Sequence, residues 1–255
     1  MFINRFMISR QLIILVASSA LVACQNNEEK TNPNSAKHDG AMVLALSWQP
    51  AFCETRPRLR ECKSQSAGRY DVTHLSLHGL WPQPRRNAYC GIDEAEKKKD
   101  KKRRWKRLAG LELSTTLQQR LQRIMPGTSS FLHRHEWVKH GSCYARKPET
   151  YFADSLALMD AINGSKVQQL FSSSIGRRLS NQEIRRSFDE AFGQGVGSRV
   201  RVACKRDGER TLITEITLGL TGTITSIPDI RSLALASPTT KPGCPAGLVD
   251  PVGLQ

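Results

Sequence analysis

HRHEWVKHGSC occupies residues 133–143, and LSLHGLWPQ stands upstream of it at 75–83. Residues 131–143 suit a helix. Residues 72–78 alternate, with Val72, Leu75 and Leu77 apolar, and Pro82 soon blocks continuation, so they predict a strand running into a loop. Five of the six histidines lie between His74 and His140. On a helix His135 lies one turn from Lys139, and Glu136 one turn from His140, so two adjacent stripes bring one acid, one ammonium and two imidazoles to one side.

Working outward from these two stretches, helices and strands mix without a regular βαβ rhythm. Residues 41–48, AMVLALSW, form a short apolar run stopped by Pro50, as expected of a buried strand. Leu117, Leu121 and Ile124 recur at helical spacing between Ser114 and Met125, until Pro126 ends the run. Residues 150–162 suit a helix by Phe152, Leu156 and Met159, and Ser180 followed by Glu183 predicts a capping box that opens a helix through Phe192. Residues 199–203 and 211–218 alternate and are rich in β-branched side chains, which predicts strands. The expected class is α+β, one domain with a central, mainly antiparallel sheet flanked by helices and stapled by disulfides.

The chain has 255 residues, 38 Lys and Arg against 23 Asp and Glu, and a formal charge of +15. A chain with 39% hydrophobic residues can bury a core, which excludes a wholly disordered or collagen-like protein. Arg5 and Arg10 precede the largely apolar run 11–23, which is too short to span a bilayer and has the anatomy of a signal peptide. The run closes on Leu21-Val22-Ala23-Cys24, which resembles the bacterial lipoprotein box whose cysteine is lipidated; the alternative is an ordinary small-residue cleavage site beside an incidental cysteine. Loss of residues 1–23 removes two arginines and no acid, lowering +15 to +13, so an anionic partner is expected in either form. Residues 24–40 are polar and aperiodic, as in a flexible spacer. Cys53, Cys62, Cys90, Cys143, Cys204 and Cys244 form an even set in a chain bound for an oxidising compartment, so disulfides are expected; 15 pairings are possible.

The charged residues of 135–140 do not form a metalloprotease helix. HExxH needs its second histidine four residues on, and Lys139 stands there instead. No CxxC or tight Cys/His spacing marks a zinc site, and there is no P-loop or GxSxG elbow, so neither metal nor cofactor is expected. Acid–base chemistry remains. Two imidazoles with an ordinary pKa near ~6.5 can hold opposite protonation states, and a lysine beside them suits negative charge accumulating on phosphorus. RNA carries its own nucleophile, the 2′-hydroxyl, so two histidines and a lysine suffice for its cleavage, whereas DNA lacks the attacking group.

HGLWP at 78–82 and HEWVKHGSC at 135–143 resemble the two active-site segments of the T2-type ribonucleases. LALSWQPAFC at 44–53 resembles that family's first core strand with its cysteine, and Cys204, LITEI at 212–216 and Cys244 fit its C-terminal part. The resemblance covers nearly all of residues 41–250, within an expected catalytic domain at 41–255. It implies His140 as base for the 2′-hydroxyl and His78 as acid for the leaving oxygen. It further implies that Glu136 and Lys139 stabilise the pentacovalent state, that His135 holds the phosphate, and that Trp81 and Tyr89 stack on the base 5′ to the cut. Several relatives carry an acidic residue after HGLWP; Gln83 stands there in this chain, which leaves base preference open. The resemblance implies Cys90 paired with Cys143 and Cys204 with Cys244, leaving Cys53 with Cys62. The expected protein is an exported, periplasmic, monomeric endoribonuclease, anchored to a membrane surface if Cys24 is acylated.

Between the two segments, residues 97–107 hold nine basic residues in eleven around Trp105, within a basic insertion at about 93–107. Such a block repels itself and is expected to be a solvated loop, with RNA capture as its functional alternative. Two rivals to the enzyme reading are a non-catalytic basic protein binding RNA or another polyanion, and a zinc-dependent hydrolase.

Overall fold

Residues 41–47 have no charge and little bulk variation, so they fit a strand covered on both faces, and in the computed structural model they form it. The structure describes Met1, Phe2 and residues 38–254. The chain divides into two units, Met1–Asn32 and Pro33–Gln255, and the fold described is that of the second. The remainder of the signal segment, Cys24 and the spacer up to residue 37 lie outside the described residues.

Among the described residues six strands form one sheet: β1 (Ala41–Ser47), β2 (Ser76–Pro82), β3 (Arg178–Ser180), β4 (Val200–Asp207), β5 (Arg210–Thr221) and β6 (Ala246–Leu248). The order is β2-β1-β5-β6-β3, with β4 also on β5. Every pairing is antiparallel except β5 with β6, which meet in parallel at Leu212 and Leu248. The helices are α1 (Gln49–Glu54), α2 (Arg60–Lys63), α3 (Glu94–Lys101), α4 (Thr115–Ile124), α5 (Leu132–Lys139), α6 (Pro148–Asn163), α7 (Lys166–Ser173), α8 (Asn181–Phe192) and α9 (Ile230–Leu235). This is the α+β architecture expected, and three disulfides join Cys53 to Cys62, Cys90 to Cys143, and Cys204 to Cys244.

Local chemistry explains the boundaries. Pro50 ends β1 and also opens α1, where its missing N–H costs nothing. Ser114 caps α4 through Leu117 N–H, and Ser180 with Glu183 makes both hydrogen bonds of the capping box on α8. Two expectations need correction. Residues 70–72 form a 3-10 turn, and the strand begins only at Ser76, so β2 runs through His78 to Pro82 instead of ending near His78. Pro82 is tolerated because β2 is an edge strand and needs no ladder donor on its open side. The helix expected over 131–143 breaks at His140: α5 stops at Lys139, and a separate 3-10 turn spans Gly141–Cys143. α7, α9 and the short strands β3 and β6 carry too little periodicity to be read from sequence.

An open strand edge leaves backbone donors and acceptors without partners. On β2, α6 supplies them. The Tyr151 hydroxyl accepts from Leu80 N–H at 3.1 Å and donates to Leu80 C=O at 3.0 Å. Asn163, three turns further on, takes Leu75 N–H at 3.0 Å and gives to Leu75 C=O at 2.9 Å. Both α6 side chains are buried among the core residues Phe152, Leu156 and Met159. Removing the hydroxyl leaves two buried backbone groups of Leu80 unsatisfied, so Tyr151→Phe should cost about 1–3 kcal/mol of stability by chemical denaturation. An unchanged midpoint would show that β2 does not depend on this clamp.

Candidate active site

β2 and β1 pair evenly except at one point. Ala45 faces Gly79 and Leu46 faces Leu77, so His78 is the extra residue of a β-bulge. Bulges re-aim side chains, and here the His78 ring comes to lie edge-on to Trp81, with centroids 5.2 Å apart. Its Nδ1 is 2.7 Å from Glu215 Oε2 on β5, and its Nε2 is 3.8 Å from Glu136 Oε1 on α5.

Glu136 is the meeting point. It is 1% exposed, accepts a 2.8 Å hydrogen bond from Trp81 Nε1, and its Oε1 is 3.8 Å from both His78 Nε2 and His135 Nε2. Gly79 makes room for it: a Cβ there would lie 2.0 Å from Glu136 Oε2. The break after Lys139 then turns His140 out of the helix to face Trp81, with ring centroids 5.6 Å apart, and His135, at 6.4 Å. Gly141 permits that turn, because a Cβ would meet Trp137 at 2.5 Å and Tyr151 at 2.8 Å. The Cys90–Cys143 bridge and a 2.9 Å hydrogen bond from Tyr89 N–H to Lys139 C=O tie the two segments together behind the rings. His78, Trp81, His135, Glu136, Lys139 and His140 are therefore brought together.

The basic block is not a solvated loop. Asp93 caps α3 through Glu96 N–H, Glu94 and Glu96 pair with Lys97 and Lys99, and a 3-10 turn follows at Trp105–Arg107. These acids at the helix start offset the repulsion that composition alone predicts. The inner face of the block reaches the site. Asp100, 2% exposed, accepts from His135 Nδ1 at 2.7 Å and from the Tyr89 hydroxyl at 2.8 Å. Trp105 stacks on the His135 ring, with centroids 4.6 Å apart and planes at 21°.

Tyr89 thus has its hydroxyl engaged and Lys97 Nζ 5.6 Å from its ring centroid, and burial with the Asp100 carboxylate pushes its pKa well up. Gln83 donates to Trp81 C=O at 3.1 Å, within the same turn. His74 stacks on Tyr70, and among the described residues no hydrogen bond, ion pair or ring contact joins His133 to the cluster; burial with Arg134 holds the His133 pKa down to about 4. Asp100, Trp105 and Glu215 were not singled out from the sequence. Glu215 could have been: it is the one charge in the apolar run 212–218 of a central strand, and such a charge needs a partner. Among the described residues no group of three or more His, Cys, Asp or Glu side chains is placed to hold a metal ion.

The two rings beside Trp81 have opposite proton preferences. Burial disfavours the His78 imidazolium, but the hydrogen bond to Glu215 and the charges of Glu136 and Glu215 outweigh it and raise its pKa, with Lys139 opposing. For His140, burial and the positive charges of Lys139, His135 and His78 act together and hold the pKa down to about 3, against a small opposing contribution from Asp100. Burial raises Glu136, while His78, His135, the Trp81 hydrogen bond and Lys139 pull it back.

A histidine whose pKa is raised and one whose pKa is lowered, both packed against Trp81 and close to a lysine and a buried carboxyl group, suit acid–base chemistry on an α+β scaffold. The sequence profile of the Ribonuclease T2 family matches residues 39–229, and the chain belongs to that family. It is 29% identical over 209 residues to Ribonuclease I of Escherichia coli (strain K12), covering 70% of this chain and 74% of that protein. It is 26% identical over 198 residues to Intracellular ribonuclease LX of Solanum lycopersicum, covering 77% and 75%. The solved structure of RNase NT in complex with 5′-AMP shares the fold, with a TM-score of 0.53 and 18% identity, over 83% of this chain and 98% of that one.

If Glu215 sustains the charged form of His78, Glu215→Gln should lower the His78 pKa in an imidazole NMR titration and leave that of His140 nearly unmoved. An unshifted His78 would assign its proton preference to Glu136 alone.

Proposed function

We propose that the domain at 41–255 is an endoribonuclease that cleaves single-stranded RNA by transphosphorylation, using His140 as base and His78 as acid. The opposed proton preferences of these two rings, both packed against Trp81, are the observation that carries the reading. Proton-free His140 takes the proton of the 2′-hydroxyl as O2′ attacks phosphorus. Lys139 and His135 take up the charge that develops on the non-bridging oxygens. The bond from phosphorus to O5′ breaks, and His78 gives its proton to that oxygen, leaving a 2′,3′-cyclic phosphate. Water then opens the ring with the two histidines in exchanged roles, giving a 3′-phosphate.

Glu136 keeps three groups in register: Trp81 through its indole N–H, and the two imidazoles at 3.8 Å. Trp81 and Tyr89 would stack on the base 5′ to the cut, and Gln83, hydrogen-bonded to Trp81 C=O, supplies a polar group beside Trp81. Asp100 fixes the ring orientation of His135 by occupying Nδ1, which leaves Nε2 for the phosphate.

Incubation with RNA and with DNA, each with and without EDTA, tests this reading. RNA should yield cyclic-phosphate ends whether or not EDTA is present, DNA should remain intact, and His78→Ala or His140→Ala should each lower kcat by about 10²–10⁴-fold. In the free enzyme kcat/KM should rise with pH as His140 loses its proton, near 3, and fall as His78 loses its own, above 6.5. RNA binding without cleavage would leave a polyanion-binding protein, and EDTA inhibition a metal-dependent hydrolase.

Export accords with the leader-like residues 1–23 and with three disulfides, and no described helix is long and apolar enough to cross a membrane. We place the protein in the periplasm as a monomer tethered through an acylated Cys24. The intact mass of membrane-fraction protein should equal residues 24–255 plus acyl groups; an unmodified mass would remove the anchor.

A further inference from the structure

The cations at 98, 101–104, 106 and 107 are exposed, and none of them forms an ion pair among the described residues. Their neighbours Lys97 and Lys99 are paired with Glu94 and Glu96. The segment therefore contains two populations of basic residues: Lys97 and Lys99, neutralised by the acids of the first turn of α3, and seven left open from position 98 through the 3-10 segment. Two side chains of the same segment are turned inward, Asp100 onto His135 Nδ1 at 2.7 Å and Trp105 onto the His135 ring at 4.6 Å. Each of the seven open cations lies within two residues of one of these anchors, about 8 Å of backbone or less.

From this juxtaposition we infer that the seven cations form a track that holds the phosphates of single-stranded RNA outside the cleavage site and leads the strand past His135. The inference rests on the proposed RNA cleavage and adds a second, non-catalytic contact to it. A flexible basic loop could attract RNA without directing it; a segment clamped at two points to a histidine of the site fixes where the captured strand enters. An anionic membrane is the competing partner. Peripheral binding of that kind joins cations to inserted apolar side chains. Here Trp105 is stacked on His135 and Leu108 is 2% exposed, so the apolar groups of the segment face inward.

The test replaces all seven cations by glutamine, keeping Asp100 and Trp105, and compares the product with a variant in which lysine and arginine are exchanged at the same positions. On polymeric RNA the glutamine variant should show KM raised by about tenfold and a slope of log(kcat/KM) against log[salt] shallower by about 2, the loss of about three phosphate contacts. Turnover of a dinucleoside monophosphate should stay within about twofold of the parent, and the exchange variant should match the parent on both substrates. Binding of single-stranded DNA, which lacks the 2′-hydroxyl, should weaken about tenfold by fluorescence anisotropy, a readout independent of catalysis. Equal loss on polymer and dinucleotide, or an unchanged polymer KM, overturns the track. So does weakened binding to phosphatidylglycerol vesicles with polymer kinetics intact. A parent that binds the DNA strand through these cations but cleaves neither RNA substrate keeps the track and overturns the nuclease reading.

Discussion

The buried carboxylate of Glu136 is the constraint around which the site is arranged. An ion taken out of water costs several kcal/mol unless its partners replace the lost hydration. Glu136 has one direct donor, the Trp81 indole, and two imidazoles at 3.8 Å. Each demands something of the chain. Trp81 requires β2 to continue to Pro82; the His78 contact requires a bulge one residue before Gly79, and Gly79 itself must lack a side chain. Those demands fall on an edge strand, the part of a sheet freest to slip. Tyr151 holds its outer backbone at Leu80, Asn163 holds Leu75 just before its start, and Cys90–Cys143 ties the loop beyond it to the turn after α5. Sheet edge, helix break and bridge all serve to bring one carboxylate under one indole.

Once Glu136 is fixed, His78 and His140 become different by position alone. Both histidines are drawn from ordinary imidazoles and both lose solvent. His78 lies between two carboxylates and gains a proton preference; His140 lies at the end of α5 among Lys139, His135 and His78 and loses one. No difference in residue type is needed. His140 sits outside the last α-helical turn, and its ring faces Trp81.

Much of this arrangement is legible in the chain. The capping box of Ser180 and Glu183, the helix over 115–124 and the alternation of 211–218 are local signals, and local chemistry decides them. The helix break at His140 was not legible, because Gly141 matters through its approach to Trp137 and Tyr151, and Tyr151 belongs to a later helix. The late start of β2 has the same origin: alternation at 72–78 is real, but Leu75 is satisfied by Asn163 and not by a strand. Spacing and composition pointed to the histidines, Glu136 and Lys139 that the fold brings together; their hydrogen-bond partners Glu215 and Asp100 stood in stretches read for sheet pattern and for net charge.

Asp100 shows why net charge misled. In a block with nine basic residues a single acid is negligible in the sum, and the sum predicts repulsion and solvation. A helix, however, sorts its residues by face. Asp100 is 2% exposed while the lysines at 98, 101 and 102 are exposed, so the lone acid supplies the inward face and the cations the outward one. The block can then dock without burying a lysine, and its attachment point is the imidazole of His135, with Tyr89 donating to the same carboxylate. One aspartate therefore does what the nine cations around it cannot: it gives a basic helix a reason to lie against a site that is itself rich in positive charge.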